Sequence, residues 1–150
     1  MRNQQKRLRY LYLIDTGEVS MRQDIQDKIK LPPDFQVNLS NMGIEDHELE
    51  EIAKEIVLRK PNIKDIFLDK NKISDDGAEI LAKSFSGLKH LSGLNLQFNA
   101  IDARGAAAIF SLTATKPHLI IALHGNRIID TGAMRAIEDA ATREKTKKKF

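Results

Sequence analysis

Cysteine is absent from the 150 residues of this chain, so no disulfide framework holds it and no thiol chemistry is available. Long apolar runs are missing too. The longest near the N-terminus, Tyr10 to Ile14, is too short for a signal-peptide core or a membrane span, and the expectation is a soluble, cytoplasmic protein. Glycine is sparse, with eight in all, and no phosphate-cradling loop is built from it; Gly77, Gly105 and Gly132 stand singly. His47-Glu48 is followed by Leu49-Glu50-Glu51, so the second histidine of a zinc-protease helix is lacking. His90, His118 and His124 show no consistent metal-ligand spacing. The acidic run from Glu45 to Glu51 reads as a solvated helix start, where carboxylates favour the dipole, rather than as a calcium site. No catalytic residue, metal or cofactor is expected, and the enzyme class is set aside.

What the chain does have is a phrase repeated three times. It reads Ile66-x-Leu68-x-x-Asn71-x-Ile73-x-x-x-Gly77-Ala78, then Leu94-x-Leu96-x-x-Asn99-x-Ile101-x-x-x-Gly105-Ala106, then Ile121-x-Leu123-x-x-Asn126-x-Ile128-x-x-x-Gly132-Ala133. The copies begin 28 and then 27 residues apart, a period that marks a solenoid rather than a closed globule. A degenerate copy lies upstream, with Val37, Leu39 and Ile44 in the apolar columns, Met42 in the asparagine column and Glu48 in place of glycine. Each copy is followed by apolar residues three and four apart, such as Leu49, Ile52, Ala53 and Ile56, or Ala78, Leu81, Ala82 and Phe85. That spacing predicts one helix face, so each unit is a strand, a turn and a helix.

Each column has a chemical reason. Alternation along a strand sends Ile66 and Leu68 to the core and Phe67 and Asp69 outward. The turn that follows leaves backbone groups no ladder pairs, and Asn71, Asn99 and Asn126 carry both a donor and an acceptor to satisfy them as a stacked spine. Met42 cannot do this, and Asn41 beside it is a candidate substitute. Ser74, Asp102 and Asp130 are placed as helix N-caps. A glycine within the first helical turn costs about 1 kcal/mol against alanine, so its recurrence points to close packing.

The segment from Asn71 to Phe85 resembles the leucine-rich repeat of the ribonuclease-inhibitor-like subfamily, whose units read N-x-[LI]-[ST]-D-x-G-[AC]-x-x-L-A, and the resemblance extends over about Phe35 to Ala140. It implies an α/β fold: a short solenoid of about four strand-turn-helix repeats, with a parallel sheet on the concave face, helices on the convex face and caps at the termini. It also implies protein binding, mostly through the concave face. Relatives of that kind include nuclease inhibitors, small-GTPase activators, actin-capping proteins, innate immune sensors and bacterial effectors delivered into host cells.

The resulting division is an N-terminal cap over 1–34, repeats over 35–141 (35–62, 63–90, 91–117 and 118–141) and a basic tail over 142–150. The cap would consist of the strand-like Tyr10–Ile14, then Ile25 and Ile29 at helical spacing, then the break Leu31-Pro32-Pro33. Charge follows the same division. Lys plus Arg against Asp plus Glu is 12 against 15 over residues 35–140 and 5 against 1 over 141–150, so the repeats are mildly acidic and the tail is basic.

The outward columns locate a binding face. One contains Asn38, Phe67, Asn95 and Ala122; the next, Ser40, Asp69, Gln97 and His124; a third, at the turn, Asn41, Lys70, Phe98 and Gly125. Aromatic anchors dominate interface energetics, so the expected partner-binding set is Phe67 and Phe98 ringed by Asp69, Asn95, Gln97 and His124. A competing reading folds Phe98 onto the neighbouring turn. The functional expectation is a non-catalytic protein-interaction module, which in a bacterial effector would meet its partner in the host cytoplasm. One alternative is a regulator of a partner enzyme, such as a small-GTPase activator. Another is nucleic-acid or anionic-lipid binding through the basic tail, with Arg143, Lys145, Lys147, Lys148 and Lys149 as contacts.

Overall fold

The computed structural model describes residues 21–128, together with 135–137 and 139. Four strands, β1 (Gln36–Asn38), β2 (Asp65–Phe67), β3 (Gly93–Asn95) and β4 (Ile120–Ala122), lie parallel in chain order. Helix α1 (Gln23–Lys30) precedes β1. The sheet strands are then separated by α2 (Leu49–Arg59), α3 (Asp75–Phe85) and α4 (Ala103–Phe110), with 3-10 turns at Asp46–Glu48 and Ser111–Ala114. The strands stack in phase, so that Val37, Ile66, Leu94 and Ile121 form one row and Asn38, Phe67, Asn95 and Ala122 the next. A one-residue slip would exchange core and surface; the repeat period prevents it.

The apolar columns become the core. Val37, Ile66 and Leu94 from the strands, Leu39, Leu68 and Leu96 beyond them, and Ile44, Ile73 and Ile101 at the turns are buried against Ile52, Ile56, Leu81, Phe85 and Ile109 of the helices. In α3 the buried set is Gly77, Ala78, Leu81 and Phe85, one face at helical spacing. Burying a side chain such as Phe85 stabilises the domain by about 1.5–3 kcal/mol. Ile25 and Ile29 of α1 join the same core, and α1 stops at Lys30, just before Leu31-Pro32-Pro33. Tyr10–Ile14, Asp130, Gly132 and the basic tail lie outside the described residues.

The asparagine column works by reaching one repeat back. Asn71 Oδ1 accepts from Met42 N and Ile44 N, both at 3.0 Å, while its Nδ2 donates to Leu39 O, Leu68 O and Asp69 O. Asn99 accepts from Ile73 N and Asn126 from Ile101 N in the same manner. Because each amide serves the turn before its own, the turn at Met42 is satisfied by Asn71. Asn41 does not replace the missing asparagine: it sits at φ 55° in the turn.

Two further ladders were not anticipated. Asp46 Oδ1 accepts from Ser74 N at 2.8 Å and its other oxygen from Ser74 Oγ. Asp75 Oδ1 accepts from Asp102 N at 2.8 Å and Gly105 N at 2.9 Å. These carboxylates therefore cap the helix of the following repeat. Ser74 occupies the N-cap position without a capping bond of its own, because its hydroxyl is turned to Asp46; Asp102 does cap, accepting from Ala103 N. The glycine column follows from this. A Cβ on Gly105 would lie 2.5 Å from Asp75 Oδ1, and Gly77 stands in the same relation to Asp46, so the close approach is chiefly to a carboxylate. In the other ladder, the buried Lys60 Nζ donates to Leu31 O (2.6 Å), Pro33 O (3.0 Å) and Gln36 O (2.7 Å), and Lys116 Nζ donates to Ser86 O at 2.6 Å. Burial lowers the pKa of both lysines, opposed at Lys60 by the charge of Asp34.

Candidate functional site

The strand face opposite the helices carries four rows. The register places Gln36, Asp65, Gly93 and Ile120 side by side, and then Asn38, Phe67, Asn95 and Ala122. The ladder continues past the strands: Leu39 N donates to Phe67 O, Leu68 N to Asn95 O and Leu96 N to Ala122 O, which carries Ser40, Asp69, Gln97 and His124 along as a third row. The turn row of Asn41, Lys70, Phe98 and Gly125 is united by conformation. All four have positive φ, at 55°, 57°, 55° and 79°, and Asn41 N, Lys70 N and Phe98 N donate to Asp69 O, Gln97 O and His124 O. A left-handed conformation at a bulky residue is costly, and only the regular ladder holds it there.

Among the expected binding residues, Phe67 is half-buried between Asn38 and Asn95. Asp69 is half-buried and accepts from Ser40 Oγ at 2.5 Å. Asn95 is partly spent on its own chain, since its Oδ1 accepts from Gln97 N at 3.0 Å. Phe98 is 47% exposed, yet its ring lies over Gly125, where a Cβ would collide with it, and stands edge-on to His124 with centroids 5.7 Å apart. The competing reading of Phe98 thus describes its position: it is propped on the next repeat, with one part of the ring open. His124 is exposed beside it.

The row missed from sequence is the one that begins each strand. Ile120 is 74% exposed, beside Gly93 and two strands from Asp65. Its signal was available, since it precedes the buried member of the strand phrase just as Asp65 and Gly93 precede Ile66 and Leu94, and alternation puts it on the same face as Ala122. Gly93 leaves room for Asp65, whose Oδ1 would be 2.5 Å from any Cβ there. The face is therefore acidic on β2, uncharged and polar on β3, and apolar on β4.

A strand-turn-helix unit of this length, stacked in parallel with an asparagine at the turn of every copy but the first, is matched by the sequence profile described as Leucine Rich repeat over residues 87–110, the stretch that contains β3 and α4. These units are leucine-rich repeats. Over 98 residues the chain is 32% identical to the NACHT, LRR and PYD domains-containing protein 4E of Mus musculus, an alignment that takes in 62% of this chain and 10% of that protein. The chain thus spans about a tenth of that curated relative's length. Among solved structures, the repeats resemble leiomodin-1 actin-binding site 2, with a TM-score of 0.68 and 22% identity over 85% of this chain and 76% of that one. At that identity the likeness is one of fold. These comparisons do not resolve the ribonuclease-inhibitor-like subfamily. No helix among the described residues is long and apolar enough to cross a membrane, and no group of three or more histidine, aspartate or glutamate side chains among them is placed to hold a metal ion.

Proposed function

We propose that this chain is a protein-binding module whose partner seats on the concave strand face, over Phe67, Phe98 and Ile120, with Asp69, Asn95, Gln97 and His124 around them. The observation that carries the reading is the exposure of Ile120 and Phe98 on a sheet face whose equivalent positions elsewhere are polar or small. Isolated exposed apolar side chains are common, but these belong to the same strand face as Phe67, whose register row runs through Asn95 to Ala122. The solved relative is itself named for a protein it binds, which agrees with a binding role for the fold while leaving the partner open.

The test is affinity capture at physiological salt with wild type, Phe67→Ala and Ile120→Ser, each checked for native circular dichroism. A protein held by wild type and lost tenfold or more from either variant supports the face. Equal retention by all three rejects it. The enzyme-regulator, bacterial-effector and basic-tail readings rest on no feature of the described residues; residues 1–20 and 141–150 lie outside them.

A further inference from the structure

We infer that the segment bound by the concave face is an amphipathic helix that crosses the strands, with a basic side chain over β2 and an apolar side chain about two turns away over β4. This rests on the concave-face reading and adds the chemistry of the partner. Asp65 and Asp69 flank Phe67 on β2, and neither has a salt bridge among the described residues, although Lys64 and Lys70 adjoin them in sequence. Elsewhere the same acidic composition is neutralised: Arg104 on the convex side reaches Asp76 at 2.9 Å and Glu79 at 2.7 Å, and Lys54 reaches Glu50 and Glu51.

The rows from Gln36, Asn38 and Ser40 across to Ile120, Ala122 and His124 contain two carboxylates and no lysine or arginine. Their polarity is therefore one-sided. A basic side chain reaching Asp65 or Asp69 would complete a charge pair in a half-buried setting, where screening is weaker than at open surface. The apolar counterpart lies on the other side of β3. Two strand spacings of about 4.8 Å separate Asp65 from Ile120, and a helix carrying residues at i and i+7 spans about 10.5 Å on one face. Gly93, Asn95 and Gln97 between them are small or polar, which leaves space for a helix to lie across.

The probe is a phage-displayed library on a helical peptide scaffold with one face randomised, panned against wild-type protein. The expected consensus places Lys or Arg seven positions from Leu, Ile, Met or Phe. Selected peptides should lose tenfold or more in affinity with Asp65→Asn/Asp69→Asn and with Ile120→Ser, and should weaken as salt rises from 50 to 500 mM. Asp65→Asn keeps the shape that fits over Gly93, and Ile120 is on the surface, so unchanged melting temperatures are expected for both variants.

A consensus without a basic residue, or undiminished binding to Asp65→Asn/Asp69→Asn, overturns the charge pairing. If Phe67→Ala and Ile120→Ser still lose that binding, the concave face stands with a different partner chemistry. Binding undiminished in all the variants removes both, and a library that yields no binder to wild type overturns the helical partner.

Discussion

Replacing Asn71 with alanine separates two ways of valuing a hydrogen-bonded spine. Asn71 makes five side-chain hydrogen bonds and Asn99 makes four, so a count of bonds predicts nearly equal losses. What matters is which groups are left without any partner. After Asn71→Ala, Leu68 O still accepts from Asn99 Nδ2 and Asp69 O from Asn41 N. Met42 N, Ile44 N and Leu39 O lose the side-chain bond that satisfied them, and Ile44 and Leu39 are fully buried. After Asn99→Ala, Leu68 O, Leu96 O and Gln97 O keep bonds from Asn71, Asn126 and Lys70 N, and Ile73 N is the group left alone. At roughly 1–3 kcal/mol for each buried orphan, Asn71→Ala should cost about 4 kcal/mol and Asn99→Ala about 2 kcal/mol. Domains of this kind have about 5–15 kcal/mol in all, so the first loss is a large fraction. Urea unfolding followed by circular dichroism measures both, provided the m-values match wild type. Equal costs for the two variants would refute the orphan argument.

Gly105→Ala should destabilise by about 1–3 kcal/mol, because the new methyl meets Asp75 and overpacking outweighs the helix-propensity gain; a raised melting temperature would contradict the packing role. Lys60→Met should cost about 2–4 kcal/mol by stranding Leu31 O, Pro33 O and Gln36 O, measured by urea titration at pH 7. The pH dependence of the same site has a definite sign. Lys60 is lowered from the ordinary 10.5, so between its folded value and 10.5 the unfolded chain holds more protons, and wild-type stability should rise with pH across that window. Lys60→Met should lack that contribution, and parallel pH profiles for the two proteins would contradict the shift.

Much of the fold was legible because the repeat makes one argument apply several times. The apolar columns, the asparagine spine and the strand-turn-helix order need only local periodicity, and Ile66, Leu94, Asn71 and Asn99 stand where alternation and turn chemistry put them. The contacts between repeats were harder to see. Asp46 and Asp75 sit in the first turns of their own helices yet serve the next unit, and nothing in local spacing distinguishes an aspartate that caps forward from one that merely favours a dipole. Lys60 and Lys116 read as surface charges until the stack shows which carbonyls face them. Phe98 was ambiguous for a similar reason, since the absence of a side chain at Gly125, 27 residues on, gives its ring a seat. The exposure of Ile120 was recoverable by alternation, since it precedes the core-facing Ile121 column as Asp65 precedes Ile66.

The three ladders do not cover every junction equally. Between β2 and β3 the units are joined by Asn99, Asp75 and Lys116, with Arg104 adding its ion pairs. Alanine at 103 takes the place of the forward-capping aspartate, so among the described residues the β3 and β4 units are joined without a capping carboxylate, through Asn126, the bond from Arg127 N to Ile101 O, the Phe98 ring against His124 and the strand pairing. Local opening follows the distribution of such contacts rather than the average stability. The strand that presents Ile120 is thus the one whose amides should exchange with solvent earliest, and whatever settles on it acts as a clasp, slowing exchange at Ile121 and Leu123 before it changes anything at β1.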